Sequence, residues 1–150
     1  MSNNCPKETF MTFSNIENAQ RITKGSGSVI AIMDWCFDLK GKELKKYIYP
    51  KSFIEVEEIG KLKPWHGEWM AEIVHKIAPE AKIIPIQTRG QKVSYQEYVS
   101  SAIIYAADHG SVAVTSSMGP LIYTKEISEA IDYAESKGTI FIDVHPEIKI

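Results

Sequence analysis

Residues 63–88 read KPWHGEWMAEIVHKIAPEAKIIPIQT, and two periodicities meet within them. From His66 onward, apolar residues recur at three- and four-residue steps, which predicts a helix with His66, Met70, Ile73 and Ile77 on one stripe. Ala78-Pro79 closes that helix, because proline has no N–H to give to the ladder. Ala81 to Ile86 then runs apolar at strand length. The imidazole of His66 is therefore expected at a helix N-terminus, facing a neighbouring strand end.

Working outward, Ser28 to Asp34 (SVIAIMD) is a second continuous apolar run, the mark of a central parallel strand, and it ends in a carboxylate. A helix is predicted from about Ser94 to His109, with Tyr95, Tyr98, Val99, Ala102, Ile103 and Ala106 as its stripe and Gly110 as its stop. Val112 to Ser116 is the next strand. A helix from about Lys125 to Lys137 follows, burying Ile127, Ala130, Ile131 and Ala134 and stopped by Gly138, and Thr139 to Val144 is the last strand. Near the start, Ser14-Asn15-Ile16-Glu17 has the form of a capping box, with Ser14 as N-cap of a short helix to about Thr23. Residues 35–50 read as loop with a helical turn around Glu43 to Tyr47, and Ser52 to Val56 as a short strand. Strands alternating with helices argue for a parallel sheet with right-handed crossovers. The chain thus divides into an N-terminal arm, residues 1–13, and a single α/β domain, residues 14–150.

Composition excludes several functions. With 150 residues, 44% of them hydrophobic, there is enough material for one core. A formal net charge of -2 with mixed signs offers no basic stripe for nucleic acid. No apolar run reaches membrane-spanning length, and the opening MSNNCPKETFMTF does not read as a secretory signal, so a cytoplasmic protein without membrane contact is expected. Cys5 and Cys36 are two thiols without the spacing of a disulfide framework or a metal site, and neither metal nor cofactor is expected.

In open parallel sheets, functional groups gather at the carboxyl ends of strands. Asp34, Thr88, Ser116 and Asp143 all fall at such ends, and His66 opens a helix above them. In that order the residues resemble the subtilisin-like serine proteases. VIAIMDWCFD resembles the family's first catalytic block, HGEWMAEIV followed by IAPEAKIIPIQT its second, VAVTSSMGP the strand lining its first specificity pocket, and AIDYAESKGTIFI the helix and strand that lead to its oxyanion asparagine. The likeness spans roughly residues 14–147 and corresponds to the first half of a catalytic domain, so it implies a truncated three-layer α/β fold with a mainly parallel central sheet. It implies that Asp34 is the orienting carboxylate and His66 the general base, and that Ser116, Ser117, Met118 and Gly119 line the substrate groove.

The family's nucleophile block lies further along than this sequence reaches. Thr115 to Pro120 imitates it, with Ser117 in the nucleophile's place, but the segment follows a strand and matches the groove strand up to Pro120 without a gap. Trp35 and Cys36 stand where the family has a small hydroxyl residue and glycine, Trp69 replaces a second histidine, and Glu147 stands at the oxyanion asparagine's place. Losing one oxyanion donor costs roughly 10² to 10³ in rate. Set against these roles, Asp34 also reads as a turn-capping carboxylate, Ser116 and Ser117 as strand-end hydroxyls, His75, His109 and His145 as surface residues, and Tyr95, Tyr98 and Tyr105 as core and rim. Two functions are expected from the resemblance: a non-catalytic domain that binds a peptide or protein, or a serine endopeptidase completed by a second chain. Self-association as a homodimer is the third expectation.

Overall fold

A computed structural model describes residues 9–37, 66–88, 93–118 and 122–144 of the chain. Among them, β1 (Val29–Asp34), β2 (Lys82–Gln87), β3 (Ala113–Ser116) and β4 (Ile140–Asp143) form one sheet in the order β2-β1-β3-β4. Every pairing is parallel. In sequence, helix α3 (His66–Ile77) falls between β1 and β2, α4 (Tyr95–Asp108) between β2 and β3, and α5 (Lys125–Ser136) between β3 and β4; α1 (Thr9–Phe13) and α2 (Ile16–Ile22) precede the sheet.

This order explains the three layers. The step from β1 to β2 goes one way across the sheet and the steps to β3 and β4 go the other, so crossovers of one hand put α3 on one face and α4 and α5 on the opposite face. Ala31, Met33, Ile84, Ile86 and Val114 accordingly pack with Val99, Ala102, Ile103 and Ala106 of α4 and with Ile127, Ala130 and Ala134 of α5. Ile32 and Ile83 face the other way and pack with Phe37 and Ala71. A strand buried on both faces has no room for alternation, which is why SVIAIMD and AKIIPI read as unbroken apolar runs. Cover is uneven, however: α3 lies over β1 and β2, while Ile140 and Ile142 of β4, on the same face as Ile32, remain 62% and 53% exposed.

The later helices form where they are predicted, and their N-caps add to the predicted glycine stops. The Ser94 hydroxyl accepts from the Glu97 N–H and the Thr124 hydroxyl from the Ile127 N–H, each satisfying a donor that the first turn leaves open. Gly110 and Gly138 stop α4 and α5 in left-handed backbone, φ 73° and 84°. Three expectations are corrected. The capping box at Ser14 does not form: the chain arrives from α1 still coiled, with the Ser14 N–H donating to the Phe10 carbonyl, and Asn15 in left-handed backbone takes the N-cap position of α2. Residues 9–13, read as part of the N-terminal arm, carry α1. The inner line of α3 runs through Gly67, Met70, Ala71 and Val74 rather than through Ile73 and Ile77, which are exposed. The predicted turn around Glu43 to Tyr47 and strand Ser52 to Val56 lie outside the described residues, as do Cys5, Gly119, His145 and Glu147.

Candidate active site

The sheet order makes a crevice. Because the chain leaves β1 in one direction and returns on its other side as β3, the loops after these two strands diverge, and the space beyond their carboxyl ends is where open α/β sheets bind ligands. Asp34 ends β1 there with no exposed surface. One carboxylate oxygen, Oδ1, accepts the Trp35 N–H at 2.7 Å. The other, Oδ2, lies 2.9 Å from Nδ1 of His66, whose side chain is 37% exposed. A carboxylate has no proton to give, so Nδ1 carries the proton and donates it, which fixes the tautomer and turns Nε2 into an acceptor. Among the described residues this is the only hydrogen bond of the His66 ring.

Helix α3 reaches Asp34 because of the residue after His66. The Gly67 N–H donates to the Cys36 carbonyl at 3.1 Å, and a Cβ on residue 67 would lie 2.7 Å from that oxygen and 2.8 Å from the Phe37 ring. Only glycine lets the helix start this close to the loop after β1. On the other side of Asp34, its main-chain carbonyl accepts the Thr88 N–H at 2.8 Å. The Thr88 hydroxyl, with one proton to give, stands 3.2 Å from that same carbonyl and 2.9 Å from the Met118 sulfur. Thr88 therefore ties the acid's backbone to the segment after β3. The exposed indoles of Trp35 and Trp69 flank the imidazole, each with its ring centre 6.4 Å away.

A second polar group occupies the ends of β3 and β4 on the opposite face. Ser116 is paired directly with Asp143, and its buried hydroxyl has no hydrogen-bond partner among the described residues. The phenols of Tyr95 and Tyr123 are pushed above their ordinary range, first by burial and then by the Asp143 charge. The Glu126 carboxyl is held below its usual range by its own backbone N–H and by Thr124.

A buried acid holding an imidazole in one tautomer is the arrangement that lets the second ring nitrogen take a proton from a hydroxyl. No family model matches the chain. Among curated proteins, it is 27% identical over 154 aligned residues to the thermophilic serine proteinase of Bacillus sp. (strain AK1), covering 91% of this chain and 36% of that one. It is 26% identical over 133 residues to thermitase of Thermoactinomyces vulgaris, covering 81% of this chain and 48% of the enzyme. The chain is a relative of the subtilisin-like serine proteases. It spans between about a third and a half of the length of these two relatives. The fold agrees: the epidermin leader peptide processing serine protease of Staphylococcus aureus superposes with a TM-score of 0.62 at 21% identity, over 95% of this chain and 43% of that one.

In this subtilisin-like chain the sequence-predicted residues fall into two groups. Asp34 and His66 are brought into contact. Ser116 is buried at the end of β3, Ser117 and Met118 follow it half-buried, and none of the three hydrogen-bonds to His66. His109, read as a surface residue, is half-buried and stacks on Tyr105 at 3.8 Å. Sequence reasoning placed Thr88 at a strand end without foreseeing its bridge to Met118, and it missed Tyr123. The His-Gly pair carried a signal that was legible: a glycine inside the first turn of a helix asks what comes close to it.

Proposed function

We propose that this chain binds extended peptides across the carboxyl ends of β1 and β3, beside the Asp34–His66 pair, and does not hydrolyse them by itself. The observation that carries the reading is the one-sidedness of the pair. His66 Nδ1 is held by a buried carboxylate, while no serine among the described residues hydrogen-bonds to the ring. A general base with no hydroxyl to deprotonate forms no acyl intermediate, and what remains of such a site is binding. The relatives support the substrate class, since the Bacillus relative named above is a serine proteinase by name. Ser117 and Met118, after β3, are the segment assigned to meet the peptide backbone. The test is calorimetric titration with acetyl-tetra-alanine amide, alongside a fluorescent casein assay. Binding without turnover is the expected result. No binding removes the peptide reading, and turnover that Asp34→Ala or His66→Ala abolishes removes the silent one.

The uncovered face of β4 favours a second reading, a serine endopeptidase completed by another polypeptide. Ile140 and Ile142 offer apolar surface beside the crevice, and the chain covers less than half of its relatives' length. A second chain seated there would bring the hydroxyl to His66. Casein hydrolysis by material co-purified from the native host, lost on His66→Ala and on treatment with a serine-directed inhibitor, is the expected result. Co-purified material without such activity defeats it. A homodimer closing over the same residues is the remaining way to cover them, and sedimentation at monomer mass over a wide concentration range excludes it.

A further inference from the structure

The Asp34–His66 pair has a capacity that needs no hydroxyl. A general base must find a proton to take, but an imidazole is also a nucleophile in its own right. We propose that His66 attacks activated aryl esters directly: Nε2 takes the acyl group, the aryl oxide leaves, and water then releases the acid. This goes beyond the peptide-binding reading and does not depend on it.

Four observations converge. The Nδ1 proton is committed to Asp34 Oδ2 at 2.9 Å, so the lone pair of the neutral ring stands on Nε2. Nε2 has no hydrogen-bond partner among the described residues and is not one of their buried unpaired atoms, so it meets solvent on a side chain 37% exposed. The wholly buried Asp34 carboxylate stands behind the ring, where it stabilises the positive charge that acylation creates. Finally, the exposed indoles of Trp35 and Trp69 have their ring centres 6.4 Å from the imidazole, close enough for a flat aromatic leaving group to touch ring and indole together.

The Nε2 lone pair forms a bond to the ester carbonyl carbon, and the tetrahedral adduct expels the aryl oxide with the electron pair of its C–O bond. An acyl-imidazolium remains, its Nδ1 proton still on Asp34. Water adds to the acyl carbon, the C–N bond returns its pair to Nε2, the acid departs and one proton of the water passes to solvent. A peptide bond does not follow this route. Its adduct expels neutral imidazole far more readily than an amide anion and so reverts, which leaves binding as the outcome for peptides.

The experiment follows p-nitrophenolate release from p-nitrophenyl acetate by the whole chain, and locates the adduct with ethyl p-nitrophenyl carbonate, whose ethoxyformyl group leaves an imidazole slowly. Mass spectrometry is expected to find that group on His66, a result that needs no variant. His66→Gln keeps an N–H for Asp34 but has no ring lone pair, and should lose most of the release. Asp34→Asn should slow it by roughly 10-fold, the difference between a charge-assisted and a neutral hydrogen bond. Trp69→Ala should lower kcat/KM for the aryl ester by roughly 2- to 10-fold, and an unchanged value overturns the aryl part of the proposal. Equal release by His66→Gln, or an ethoxyformyl group found on a lysine or serine instead of His66, overturns the whole. So does release that needs His66 while no group is ever found on it, since the ring then acts as a base on water. Titration with acetyl-tetra-alanine amide is read separately, and its failure removes the peptide reading without touching this one.

Discussion

Replacing Gly67 by alanine probes the contact that lets the acid and the imidazole meet. The added Cβ would sit 2.7 Å from the Cys36 carbonyl oxygen, with Phe37 ring atoms at 2.8 and 2.9 Å. Neither neighbour yields easily, since one is backbone and the other is a fully buried ring. Ordinary contact begins near 3.4 Å, so the first turn of α3 must withdraw by about 0.7 Å. That stretches the Gly67 N–H bond to Cys36 from 3.1 Å to a length at which it no longer holds, and it pulls His66 off Asp34 by a similar amount. Overpacking of this kind costs about 1–3 kcal/mol and the lost hydrogen bond about 1 kcal/mol, against a helix-propensity gain of at most about 1 kcal/mol. The net loss is about 1–3 kcal/mol, which at this chain length lowers Tm by roughly 2–12 °C. Circular dichroism melting gives the Tm, and the Nδ1 proton resonance of His66 reports the pair. Gly138→Ala is the control: its φ of 84° makes alanine strained, but no atom lies within 4 Å of the new Cβ, so Tm falls while the His66 resonance stays. A Gly67→Ala protein with unchanged Tm and an unmoved His66 resonance refutes the argument.

Three further outcomes are expected. In urea unfolding, His66→Ala strands a buried carboxylate and loses about 1–3 kcal/mol, while combining it with Asp34→Ala costs less than the two separate losses together; strict additivity would show that the pair is not coupled. Thr88→Val keeps the N–H bond to Asp34 but removes the hydroxyl shared with Met118, and should cost about 0.5–1.5 kcal/mol in the same assay, an unchanged midpoint counting against the bridge. The phenols of Tyr95 and Tyr123 are raised by burial first and by Asp143 second, so the folded state holds these protons longer than the unfolded chain. Their contribution to stability is complete below about pH 10 and is lost as pH rises through the folded values. In an ultraviolet titration Asp143→Asn should bring both ionisations to lower pH, and identical curves for the two proteins would separate Asp143 from the rings.

The parts of the fold legible in the sequence are those where local chemistry and burial agree. Ser94 and Thr124 cap α4 and α5, Gly110 and Gly138 end them, and the apolar runs of β1 and β2 follow from cover on both faces. Periodicity fails where a contact distant in sequence decides. The stripe predicted for α3 runs off the true inner face because the helix is turned by the approach of Gly67 to Cys36 and Phe37. The capping box at Ser14 fails for a nearer reason: an N-cap needs extended backbone, and the turn leaving α1 denies it. The Asp34–His66 contact was readable as a strand-end acid facing a helix-start imidazole. The Ser116, Asp143, Tyr95 and Tyr123 group was not, because its members come from four separate segments and share no spacing.

The placement of the Asp34–His66 pair links the two functional readings. Asp34 ends β1, the strand under the border between the half of the sheet that α3 covers and the half where Ile140 and Ile142 stay open. Each of those side chains would gain on the order of 1–2 kcal/mol if its exposed surface were buried, enough to favour a partner without making the isolated fold depend on one. Whatever covers β3 and β4 on that face stands beside the crevice that His66 overlooks. On the first proposed reading the cover would carry no hydroxyl and the chain would bind peptide only; on the second it would carry one to the imidazole and complete a protease. The buried acid, the fixed tautomer and the glycine that permits their approach are required by both readings, so the chemistry of the covering group decides between them.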